Sequence, residues 1–139
     1  MGFKQMKYEE MYSDKADIRI ELVALLKGRR EHRELKLIPE QTRAVCRNEI
    51  HEFIVTDEPD HHPGDTVNRI AYLGFGDVKT GGLLAVGDMV RIDGREVGKL
   101  VGFDRTHLPN HMNIILFSSK MRTGEEHGFS PGQVMIINR

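Results

Sequence analysis

The densest chemistry in this chain lies in eight consecutive residues, Asp104-Arg105-Thr106-His107-Leu108-Pro109-Asn110-His111. They offer a carboxylate, a guanidinium, a hydroxyl and two imidazoles. Three uses of such a set stay open. His107 and His111 can ligate a divalent metal with Asp104, taking a third imidazole from His51, His61 or His62. His107 can act as a general base, with Asp104 as its orienter. Without a metal, Asp104, Arg105, His107, Asn110, His111 and Asn113 can line a site for a small polar or anionic ligand, with Arg105 as the anion anchor. Against all three stands a purely architectural reading. Asp104, Thr106 and Asn110 are the residue types that tie a tight loop by side-chain-to-backbone hydrogen bonds. The spacing His-x-x-x-His resembles a helical zinc pair, but Leu108-Pro109 interrupts any helix there, so i, i+4 helical geometry is not expected.

Other candidates carry less. His61-His62 sits among Asp57, Glu58, Asp60 and Asp65, a composition that suits a surface loop and also a cation. His127, beside Glu125 and Glu126, reads as solvated. Gly94-Arg95-Glu96-Val97-Gly98-Lys99-Leu100 is not a P-loop, because its spacing is one residue short and Leu100 lacks the hydroxyl that a magnesium site needs. Gly74-Phe75-Gly76-Asp77 is not a dinucleotide fingerprint, since neither the third glycine nor a helix follows. Thr80-Gly81-Gly82 can present backbone N–H groups to an anion, though a plain turn explains it as well.

The chemical loop needs strands to hold it. Asp93-Gly94 is a strong type I′ turn signal, because both central positions require φ > 0. It predicts a hairpin over 88–103 that pairs Ile92 with Arg95, Arg91 with Glu96, Val90 with Val97 and Asp88 with Lys99. Gly98 and Gly102 within its second arm mark bulges or bends. Residues 16–26 alternate with period two, which predicts a strand. Lys27-Gly28-Arg29-Arg30 then reads as a turn, with a return strand from Leu35 to Ile38. Glu40 to Asn48 follows Pro39 and is expected as a short helix. Further strands are expected at 51–56, 67–73, 112–117 and 133–137. The glycine-rich stretch 74–82 is expected as a turn, and 120–130 as a polar loop. Residues 1–15 read as a polar tail or a short helix. Together these predict an all-β fold, a small single-domain barrel or sandwich of about eight short strands with little helix over 16–139.

Composition narrows the function classes. The chain has 139 residues, with 20 basic against 21 acidic side chains and a net charge of -1. That balance argues for neither nucleic acid nor a membrane surface as partner. Aromatic residues make up 6% and do not interleave with Lys or Arg as a base-stacking surface requires. The run Lys27, Arg29, Arg30, Arg33 is interrupted by Glu31 and reads as a solvated tip. The single cysteine, Cys46, precludes an internal disulfide and fits a reducing cytoplasm. No apolar run is long enough to span a bilayer.

Residues 70–137 resemble the glucitol/sorbitol-specific IIA component of the bacterial sugar phosphotransferase system. The likeness rests on Gly74-Phe75-Gly76-Asp77 and on the segments LLAVGDMVRIDG, VGKLVGFD, NHMNIILF and FSPGQVMII. It implies a small β-barrel. It implies no catalytic residue, because Phe75 stands where that family places its phosphoryl-accepting histidine and there is no histidine between His62 and His107. An uncharacterised bacterial family is the other expectation. The functions carried forward are a ligand-binding barrel acting through 104–113, a small enzyme using Asp104, His107 and His111 with or without a divalent metal, and a non-catalytic subunit that works as a homo-oligomer.

Overall fold

A computed structural model describes residues 16–139, so the expectation for residues 1–15 lies outside the described residues. The strands are β1 (Ile18–Leu25), β2 (Arg29–Arg30), β3 (Leu35–Lys36), β4 (Thr42–Val45), β5 (Ile50–Thr56), β6 (Thr66–Val67), β7 (Ile70–Thr80), β8 (Gly82–Ala85), β9 (Met89–Ile92), β10 (Arg95–Asp104), β11 (Asn113–Phe117) and β12 (Val134–Asn138). Among the described residues one short helix, α1 (Gly124–His127), precedes β12. The fold is all-β, as expected. The main sheet runs β1-β12-β9-β10-β11-β5-β7-β2, and β1 also pairs with β7, so seven strands return on themselves. Two further ribbons pair β3 with β6 and β4 with β8.

Alternation sorts the side chains into two layers. Ile18, Ile20 and Leu22 of β1, Phe53 and Val55 of β5, Ile114 and Leu116 of β11, and Met135 and Ile137 of β12 join one large apolar core. Ile54 and Ile115, from the opposite faces of β5 and β11, join a second cluster with Leu35, Leu37, Val67 and Ile70. The β3–β6 ribbon thus supplies an apolar cover for the outer face of β5, β7 and β11. Glu52 belongs to this outer face.

The hairpin forms, with Asp93 and Gly94 both at positive φ. Ile92 pairs with Arg95 and Arg91 with Glu96, as expected. Beyond them the register differs: Val90 pairs with Gly98 and Met89 with Lys99. Val97 is the extra residue of a bulge, which moves each later partner by one. The second expected irregularity falls between Leu100 and Gly102.

Three expectations fail. Residues 74–80 are strand, not turn, because the glycines serve close packing. A Cβ on Gly74 would strike the Ala24 carbonyl oxygen of β1, and one on Gly76 would strike Ile20. Residues 42–45 are strand, not helix, and pair with β8. The return strand does not pair with β1; it is reduced to β3, which pairs with β6, while Arg29–Arg30 pairs with β7. The loop 120–130 also contains α1, closed at its start by a capping box. Thr123 Oγ1 accepts from Glu126 N, and Thr123 N donates to Glu126 Oε1, each at 3.1 Å. Among the described residues no helix is long and apolar enough to cross a membrane.

Candidate metal site

A row of side chains crosses four strands on the outer face. Asp104 of β10 is in register with Asn113 of β11. Asn113 is in register with Glu52 of β5 through a parallel ladder. Glu52 is in register with Phe75 of β7. The loop 105–112 leaves this row at Asp104 and returns to it at Asn113, so whatever the loop carries is delivered beside Glu52.

Asp104 holds the loop at its base. It is 3% exposed and accepts three hydrogen bonds: from Lys36 N at 3.1 Å, Thr106 N at 2.9 Å and Asn113 Nδ2 at 3.1 Å. A carboxylate engaged by these three donors serves as a tie. Its partners do not include His107, so the pairing of Asp104 as orienter with His107 as base is not formed here. Asn113 is fully buried, and its Oδ1 lacks a hydrogen-bond partner.

The turn that follows brings the two histidines together without a helix. The His107 carbonyl accepts from Asn110 N at 2.9 Å and from His111 N at 3.3 Å. The two imidazole rings then lie 4.9 Å apart. The proximity that i, i+4 spacing gives on a helix is thus supplied by a turn. At the end of the loop, Met112 N donates to His51 Nδ1 at 3.1 Å, and the Met112 carbonyl accepts from Glu52 N at 3.0 Å. His51 Nε2 lies 3.2 Å from Glu49 Oε1. Because Nδ1 accepts, Nε2 carries the proton and donates to Glu49. His51 is therefore committed to holding the loop.

What converges is Glu52, His107 and His111. Their ligand atoms all lie within 4.8 Å of one another. Glu52 is 7% exposed. Its Oε1 stands 3.4 Å from His111 Nε2, a nitrogen that is buried and makes no hydrogen bond. The other nitrogen of His111 faces Asn110 Nδ2 at 2.8 Å, and Phe75 meets the ring edge-on at 5.2 Å. Burial pushes the Glu52 carboxyl above its ordinary range, and the nearby His111, His107 and Arg33 only partly offset this. Arg33 donates from Nε to the Tyr72 hydroxyl at 3.2 Å.

The remaining candidates lie apart from this group. Arg105 borders a separate cleft of about 480 Å³ with Lys36, Pro39 and Thr106, and neither His107 nor His111 lines it. His62 is exposed, and His61 Nε2 lies 3.8 Å from Glu58 Oε2. Glu52 was absent from the sequence-derived candidates. Its one signal was a carboxylate between His51 and the apolar run Phe53-Ile54-Val55.

No curated protein and no solved structure matches the chain, so the likeness to the glucitol/sorbitol component finds no support there. A family of unknown function (DUF6917) matches residues 12–138, and the chain belongs to that family.

Proposed function

We propose that this chain is a divalent-metal protein in which Glu52, His107 and His111 hold one ion and leave coordination positions open for a small polar or anionic ligand. The observation that carries the reading is the buried His111 Nε2, without a hydrogen-bond partner and 3.4 Å from Glu52 Oε1. Two ligands bound at about 2.0–2.2 Å in a tetrahedral site stand about 3.3–3.6 Å apart, so this pair already has the separation that one ion requires. His107 is exposed and completes the set, its ligand nitrogen within 4.8 Å of the other two ligand atoms. Two imidazoles and one carboxylate suit zinc, iron(II), cobalt or nickel better than calcium or magnesium. Three protein ligands with an open position are the arrangement of reactive metal sites rather than closed structural ones. Arg33, close enough to act on the Glu52 carboxylate, adds positive charge for an anion bound to the metal.

The test is calorimetric titration of chelator-treated protein with zinc and manganese. One saturable site is expected, preferring zinc and abolished by His111→Ala. Binding that persists in both His111→Ala and Glu52→Gln would sink the proposal.

A further inference from the structure

The second concentration of unused chemistry lies away from the loop, where the start of β10, the segment after β11 and α1 meet. A cleft of about 190 Å³ there is lined by Arg95, Lys120, Arg122, His127 and Phe129, together with Glu96, Val97 and Ser118. Three cations thus face one small space. None of the three has a carboxylate partner among the described residues, and two of the nearby acids are committed elsewhere. Glu96 pairs with Arg91 at 3.3 Å. Glu126 pairs with Arg29 at 2.7 Å and caps α1. The Phe129 ring organises the wall: the Arg95 guanidinium lies 5.4 Å from its centroid, and the His127 ring stacks on it at 4.5 Å. His127 Nε2 is buried and has no hydrogen-bond partner. His127 is thus not the solvated residue expected from its acidic neighbours Glu125 and Glu126.

Like charges gathered without counter-charges repel one another, and a bound anion relieves that repulsion. The small volume, below that of a drug-sized pocket, limits the occupant to a single oxyanion group. Two guanidinium forks suit the tetrahedral oxygens of a phosphate, which they bind through paired hydrogen bonds. We propose that this cleft is a binding site for a phosphate-type dianion, gripped by Arg95, Lys120 and Arg122 with the His127 imidazole beside it. His127 gives the site a reporter. Burial first, then Arg122 and Arg95, hold its pKa below the ordinary histidine value, and Glu126 only partly opposes them. A dianion among these groups offsets most of the local positive charge and draws the imidazole toward protonation.

The experiment titrates the full-length protein with inorganic phosphate at constant ionic strength, with chloride as the reference. The His127 ring resonances are followed by NMR. Saturable binding is expected, with the His127 titration midpoint moving to higher pH. Arg122→Gln combined with Lys120→Gln, both at exposed positions, should weaken binding by at least about 10-fold, since each removes a charge-assisted hydrogen bond. Arg47→Gln, at an exposed position outside the cleft, should leave it unchanged. Absence of saturation up to about 10 mM phosphate would overturn the proposal. So would equal affinity in the double variant, or a phosphate-bound state in which the His127 midpoint does not rise.

Discussion

His51 and Met112 are joined by a hydrogen bond of 3.1 Å from the Met112 N–H to His51 Nδ1, and each is the chain neighbour of a residue in the candidate metal site. His51 precedes Glu52, and Met112 follows His111. The bond therefore fixes the spacing between the two ligands without belonging to either. Glu52 N reinforces it by donating to the Met112 carbonyl.

Replacing His51 with Phe keeps a ring in the strand but leaves the Met112 N–H without its acceptor. A buried donor stranded in this way costs about 1–3 kcal/mol. The urea midpoint of His51→Phe should fall accordingly. Zinc affinity should fall with it, although His51 is no ligand. Unchanged stability and unchanged affinity together would show that this bond does not hold the loop.

Asp104 provides a contrast between two substitutions. Asp104→Ala strands Lys36 N, Thr106 N and Asn113 Nδ2 and should cost at least about 2 kcal/mol in denaturant unfolding. Asp104→Asn keeps one carbonyl oxygen for two of these donors and should cost clearly less. Equal losses would mean that the carboxylate is not the tie described here.

Asn110 addresses His111 from behind. When Nε2 of His111 holds a metal, Nδ1 carries the proton, and the Asn110 amide turns its oxygen to accept it. Asn110→Ala removes that support and should weaken zinc binding by about 10- to 100-fold, while Thr106→Ala should leave it nearly unchanged. Calorimetry on both variants decides the point, and an Asn110→Ala variant that binds like the wild type would remove Asn110 from the account.

Acid stability should report the fork between Arg69 and Asp57. Arg69 Nε and Nη2 donate to the two Asp57 carboxylate oxygens, each at 3.0 Å. These hydrogen bonds hold the Asp57 carboxyl below its ordinary value of 3.8. A depressed carboxyl contributes stability above that ordinary value and loses it as pH falls through the folded-state value. Melting temperatures of the wild type and Arg69→Gln should therefore differ by a constant small amount at neutral pH, and the gap should close below pH 3.8. A gap that persists in acid would assign the effect of Arg69 to packing.

Local signals in the sequence told part of this structure. Asp93-Gly94 announced its hairpin, and the alternation of Ile18, Ile20 and Leu22 announced β1. Gly98 marked the bulge, but only the structure shows Val97 as the extra residue that shifts the later register. Gly74 and Gly76 misled because a glycine in a turn and a glycine under a crossing strand look alike in one dimension. Their reason lies in Ala24 and Ile20, fifty residues or more away in sequence. Thr123 and Glu126 spelled a capping box in a stretch expected to be loop. At the site, His107 and His111 were legible because their types and spacing are local. Glu52 was not, because it reaches His111 through the parallel register of β5 with β11, a pairing that no turn between them encodes.

The most direct measurement is a crystal of the protein soaked in zinc, with anomalous data collected on both sides of the zinc edge. The account predicts one strong peak bounded by a Glu52 oxygen and one nitrogen each from His107 and His111, at about 2.0–2.2 Å from each. A peak at His61 and His62 instead, or no peak at the Glu52 group in crystals that carry zinc elsewhere, would contradict it.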